Sequence, residues 1–109
     1  MNLRSGRRLP GADGEVLALS QDMTTSREAF LRSLPAAVDH VAFRVDGGEI
    51  RPLDPHHQWR IVLEPMDDLV LGMIVLPRQH VEIFLTDCNA DETKHFLARF
   101  ELYFRRAGG

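Results

Sequence analysis

The sequence predicts a single α+β domain: an antiparallel sheet of about five strands packed on a C-terminal amphipathic helix, with a second, short N-terminal helix. The 109 residues are 44% hydrophobic and 27% charged, a balance typical of one globular domain. Apolar side chains alternate with period two in residues 41–45, 59–63 and 81–85, whereas residues 89–106 have helical spacing. The connections between strands are too short for crossover helices, which favours an antiparallel meander.

Residues 1–14 mix Arg, Gly, Ser, Pro and Asp without apolar periodicity, so we predict a disordered tail there and a domain over residues 15–109. Residues 15–20 have the pattern of a short strand of the sheet. A competing hypothesis is that translation starts at Met23, directly before a helix start, which would make residues 1–22 an upstream extension.

The first helix is predicted to begin at Thr25, with Glu28 completing a capping box, and Pro35 is expected to limit its length. Residues 41–45 and 49–53 form a predicted hairpin around Gly47-Gly48, since glycine accepts the positive φ of tight reversals. Pro52 confines the second of these strands to a sheet edge or a strand end.

Alternation in residues 59–63 and 81–85 predicts two strands, with one face formed by Trp59, Ile61, Leu63, Val81, Ile83 and Leu85. Residues 69–76 are apolar at every position except Gly72, which predicts a further strand covered on both faces. Turns are expected at residues 65–68 and 77–79.

The C-terminal helix is predicted to start at Asn89, with Glu92 three residues later in a capping box. Its apolar stripe consists of Phe96, Leu97, Phe100, Tyr103 and Phe104.

Charge and cysteine content exclude several classes of protein. The net charge is −3, and because residues 1–14 carry +2, the remainder carries −5, which disfavours nucleic-acid binding. No stretch approaches the roughly 20 apolar residues of a membrane span. Cys88 is the only cysteine, so a reducing compartment and a cytoplasmic location are expected.

The predicted sheet is apolar on both faces, which suggests a function. One face can pack on the C-terminal helix. The other is too apolar to be left wholly in water, and its apolar residues are Val62, Val70, Ile74, Leu76 and Phe84. Either the N-terminal helix or the first hairpin covers this face, or a second copy does. The leading hypothesis is a non-catalytic, homodimeric protein-interaction module with these five residues at its interface.

The alternative is a small anionic-ligand-binding protein or minor enzyme. Its candidate residues are His40, Arg44, Arg60 and His80, which can converge at one rim of the sheet if the strand register allows. The competing interpretation is an ordinary solvent face of alternating strands.

Other chemistry has weak support. The five histidines lack HxH, HxxxH and HExxH spacing, and no nucleotide-binding motif is present, so no metal and no cofactor is predicted. Cys88 precedes a helix N-terminus, which lowers a thiol pKa, but the neighbouring Asp87 opposes that effect. Asp67 and Asp68 fit a turn better than a pair of catalytic carboxylates.

Overall fold

The computed structural model describes residues 14–107, and it confirms the α+β class. Its elements are β1 (Glu15–Met23), α1 (Arg27–Ala37), β2 (Phe43–Asp46), β3 (Glu49–Pro52), β4 (Trp59–Leu71), β5 (Ile74–Thr86) and α2 (Ala90–Ala107). The five strands form one antiparallel sheet in the order β1-β5-β4-β3-β2. The predicted tail, apart from Gly14, lies outside the described residues.

β1 is an edge strand that pairs with β5, while β2 to β5 form a meander. The β1 pairing runs from Glu15 opposite Thr86 to Met23 opposite Gln79, with a bulge at Ala18. The strand expected over residues 15–20 therefore continues to Met23. A chain that began at Met23 would lack this edge strand.

The core lies between one face of the sheet and both helices. Cross-strand pairs of buried residues fill that face, as the alternation predicts: Trp59 with Leu85, Ile61 with Ile83, and Leu63 with Val81. The helices meet through aromatic rings. Phe104 lies 4.5 Å from Phe30 and 4.4 Å from Phe100, measured between ring centroids. Both helices therefore share one face, and α1 does not cover the other.

Local hydrogen bonds determine where the two helices begin. Asn89 and Glu92 form the predicted capping box, with both reciprocal bonds at 2.8 Å. The prediction of Thr25 as the N-cap of α1 is wrong by one residue, because Ser26 Oγ accepts the bond from the Ala29 amide at 3.0 Å. Pro35 is accommodated inside α1, which continues to Ala37.

The predicted separate strand over residues 69–76 is wrong, because Gly72 and Met73 form a two-residue turn within it. Gly72 has φ +62°, which such hairpin turns require at their first central position. The residues predicted as turns instead belong to β4 and β5. Pro65 and Pro77 are tolerated there because, within residues 14–107, no third strand pairs with those parts of β4 and β5. A bulge at Asp67–Asp68 accommodates the turn-forming residues.

Candidate functional site

The β4–β5 hairpin extends beyond the rest of the sheet. We call residues 66–78 the β-arm, because within residues 14–107 its two strands pair only with each other. The last flanking pairs are Met23 with Gln79 on one side and Glu49 with Val62 on the other. At about 3.3 Å per residue, the β-arm projects roughly 20 Å from the sheet.

The β-arm exposes large apolar side chains. Met73 at its tip is 100% exposed, and four more side chains are over half exposed: Val70, Leu71, Ile74 and Val75. The single chain therefore does not cover both faces of residues 69–76, contrary to the expectation from their apolar run. An apolar cluster of this kind is typical of an interaction surface.

The register distributes the apolar residues of the β-arm over both of its faces. Leu71 pairs with Ile74 and Leu69 with Leu76 on one face, while Val70 pairs with Val75 on the other. Of the predicted interface set, Ile74 and Leu76 therefore share a face that Val70 does not. The bulge at Asp67–Asp68 causes this change in alternation, and the Asp67 carbonyl accepts a bond from Arg78 Nε at 2.9 Å.

The other two predicted interface residues, Val62 and Phe84, lie on the helix-free face of the central sheet and are partly buried. The Arg60 guanidinium lies 4.2 Å above the Phe84 ring. Val62 faces Glu82 across the β4–β5 pair and Glu49 across the β3–β4 pair. Polar groups thus separate these two residues from the apolar β-arm.

The four residues of the predicted ligand site occupy different places. Arg44, Arg60 and His80 point to the helix-free face, whereas His40 lies exposed in the α1–β2 connection. Phe84, opposite Arg60, is four residues from His80 along β5, a separation of about 13 Å. The structure does not bring the four side chains into one cluster.

Arg60 takes part in a buried ion-pair network. Its Nε and Nη2 bind the two carboxylate oxygens of Glu15 at 2.9 and 2.8 Å, and Nη1 binds Glu49 at 2.9 Å. The side chains of Arg60 and Glu15 are only 5% and 6% exposed. The hydrogen bonds from Arg60 to Glu15 raise the pKa of Arg60. These buried ion pairs give Arg60 a structural role in the sheet.

His80 lies between two side chains of β1. Its Nδ1 is 2.6 Å from Asp22 Oδ1 and its Nε2 is 3.1 Å from Ser20 Oγ. A carboxylate oxygen of Glu82 lies 3.6 Å from the same Nε2. Sequence reasoning missed Ser20 and Asp22, because their place beside His80 depends on the β1–β5 register. The alternation of these two polar residues in β1 is the only signal in the sequence.

The environment of Cys88 does not lower its pKa. Burial raises the pKa of the Cys88 thiol, and the carboxylates of Glu92 and Asp87 raise it further. Residues 14–107 contain no cluster of three or more metal-ligating side chains placed to hold an ion. Across the same residues, no helix has both the length and the apolar character needed to cross a membrane.

Comparison of the chain with known proteins identifies no relative. No family model matches the chain, and neither a curated protein nor a solved structure is found to be similar to it.

Proposed function

We propose that this protein is a small, non-catalytic interaction module that forms a homodimer through its β-arm. The observation that carries the proposal is the exposure of five large apolar side chains on a hairpin that neither α1 nor α2 covers. A two-stranded hairpin is only marginally stable in water by itself, so burial against another surface stabilises it. A second copy of the chain supplies such a surface with two-fold symmetry.

The apolar area of the β-arm supports the proposal. If each of the five side chains contributes roughly 100 Å², two arms bring about 1,000 Å² before the surfaces that receive them are counted. A stable interface of standard size buries roughly 1,600 Å² in total. The single thiol, Cys88, supports a reducing compartment such as the cytoplasm for this module.

Light scattering coupled to size-exclusion chromatography tests the proposal. At about 100 µM, well above a micromolar dissociation constant, we expect a measured mass twice the 12.4 kDa of the chain. Ile74→Glu, which places a charge on the β-arm, should shift the mass to that of the monomer. Leu53→Glu is the matched control, because Leu53 is as exposed as Ile74, 59% in both cases, but lies outside the β-arm.

Two results would contradict this function. One is a monomeric mass for the unmodified chain at that concentration. The other is an Ile74→Glu variant that remains dimeric while its circular dichroism spectrum matches that of the unmodified protein.

The contacts of His80 favour a second candidate function, a minor hydrolase. Ser20 Oγ at Nε2 and Asp22 at Nδ1 repeat the order of nucleophile, general base and orienting carboxylate. The carboxylate of Glu82 competes with Ser20 for the same nitrogen, and Asp22 is 56% exposed. These two features weaken the hydrolase relative to the interaction module.

A fluorophosphonate probe tests the second candidate. In the labelling step, Ser20 Oγ forms a bond to phosphorus, fluoride leaves, and the hydroxyl proton passes to His80 Nε2. Labelling of the unmodified chain, absent in Ser20→Ala and strongly reduced in Asp22→Asn, would support a hydrolase. An equal amount of the phosphonyl adduct on all three proteins, or no adduct on any of them, would eliminate it.

A further inference from the structure

We propose that the β-arm of each protomer lies in the groove between β1 and α2 of its partner. This inference rests on the self-association proposed above and specifies the surface that receives the β-arm. The groove has a volume of about 890 Å³. The side chains that form its apolar walls are Leu19 and Met23 from β1 and Leu97, Phe100 and Phe104 from α2.

The groove exists because α2 packs mainly toward α1. The Phe30 ring of α1 contacts Phe100 and Phe104 of α2, with centroid distances of 6.2 and 4.5 Å. That packing leaves the helix-facing side of edge strand β1 incompletely covered, and both Leu19 and Met23 remain partly exposed. Apolar walls without full cover match the apolar character of the β-arm.

The lengths of the two features agree. The groove follows α2 from Ala90 to Phe104, which spans about 21 Å at 1.5 Å per residue. The β-arm projects roughly 20 Å. A bound β-arm would therefore fill the groove from one end to the other, with Met73 at the far end.

The relative position of the two features favours a second copy as the occupant. Met23, at one end of the groove, pairs with Gln79, next to the base of the β-arm at Arg78. From that point the groove runs back along β1 while the β-arm continues in the opposite direction. A protomer cannot place its β-arm in its own groove without folding the hairpin back on itself.

A two-fold axis near Met23 would bring the β-arm of one protomer to the groove of the other. Rotation about that axis places the groove of the partner alongside the β-arm of the first protomer, and the reverse contact forms at the same time. Because the two contacts are equivalent, the assembly closes as a dimer and does not extend into a filament.

Cys88 provides a test, since it lines the groove near Ala90, where the tip of the partner's β-arm would lie. We would introduce Met73→Cys into the full chain and oxidise it with copper phenanthroline. The expected product is a covalent dimer whose peptide map joins position 73 to the partner's Cys88. Adding Cys88→Ser should abolish this link, because disulfides form only between closely placed cysteines.

The outcomes separate this inference from the proposed function. A link between the two copies of position 73 that persists with Cys88→Ser would show arms packed on each other, which overturns the groove but keeps the dimer. A monomeric mass by light scattering would overturn both.

A second variant tests the groove without cysteines. Ala98 is exposed and lines the groove, so Ala98→Glu should weaken dimerisation at least tenfold, whereas Leu102→Glu, on α2 but outside the groove, should not. Equal dimer dissociation constants for these two variants would also overturn the groove.

Discussion

Arg60 on β4 reaches across β5 to form a two-point ion pair with Glu15 on β1, at 2.9 and 2.8 Å. The same guanidinium lies over the ring of Phe84 on β5 and donates to Glu49 on β3. One buried side chain therefore connects four strands of the sheet. It holds β1 through a contact independent of the backbone pairing.

Arg60→Ala should lower the free energy of unfolding by about 3 kcal/mol, because it removes the cation from a buried ion pair. Arg60→Lys should recover only part of the loss, since an ammonium cannot bind both Glu15 oxygens and Glu49 in the same geometry. Urea titration followed by Trp59 fluorescence measures both changes. Arg51→Ala is the control: Arg51 also pairs with Glu49 but is 46% exposed, so we expect a loss below about 1 kcal/mol. Equal losses for the two alanine variants would contradict the network.

Glu49 should make stability depend on pH. Burial raises its pKa, but the hydrogen bonds from Arg51 and Arg60 outweigh burial and hold the pKa below the ordinary value of 4.5. A lowered carboxyl pKa gives stability that is complete above the unfolded-state value and is lost as pH falls through the folded-state value. The stability advantage over Glu49→Gln should therefore be largest near neutral pH and shrink below about pH 4.5. Because Glu49 is 34% exposed, this stability advantage is at most about 1 kcal/mol. Urea midpoints across this range measure it, and a constant difference would refute the effect.

Gly48 should be less tolerant of substitution than Gly47. A Cβ on Gly48 would lie 2.5 Å from the Leu63 carbonyl oxygen, and the Gly48 carbonyl accepts the Leu63 amide at 2.7 Å. Because backbone atoms must move, we expect Gly48→Ala to cost at least about 2 kcal/mol. Gly47 has φ +61° and open space around it, so Gly47→Ala should cost about 1 kcal/mol. Thermal melting should rank the variants in this order, and the reverse ranking would rule out the clash.

The capping box at the start of α2 should be worth about 1 kcal/mol. Asn89→Ala removes the acceptor for the Glu92 amide, and replacing an N-cap by alanine typically costs this amount. Asn89→Asp keeps an acceptor and should retain most of the stability. Native-state hydrogen exchange of the first turn of α2 would detect the difference, and unchanged protection in Asn89→Ala would argue against the cap.

Local patterns predicted the elements that depend on local interactions. The alternation in residues 59–63 and 81–85 identified the core-facing residues, such as Ile61 and Ile83, and the spacing of Asn89 and Glu92 identified the start of α2. The β4–β5 reversal could not be located in this way, because a bulge contains the turn-forming residues Asp67 and Asp68 while the actual turn is Gly72-Met73.

The candidate site was less accessible to sequence reasoning. An apolar run such as residues 69–76 has the same composition whether a sheet covers it or it projects as a hairpin. The contacts of His80 with Ser20 and Asp22, and of Arg60 with Glu15, require the pairing of β1 with β5, which are distant in sequence. No local pattern in either strand determines that register.

The pairing of β1 with β5 also sets an order of events during synthesis. Glu15 pairs with Thr86, so β1 can join the sheet only after β5 has been made, although β1 precedes all the other described strands. Until β5 emerges from the ribosome, β1 has no neighbouring strand. Slow translation between β1 and β5 would therefore prolong the period in which two nascent chains can exchange their β1 strands.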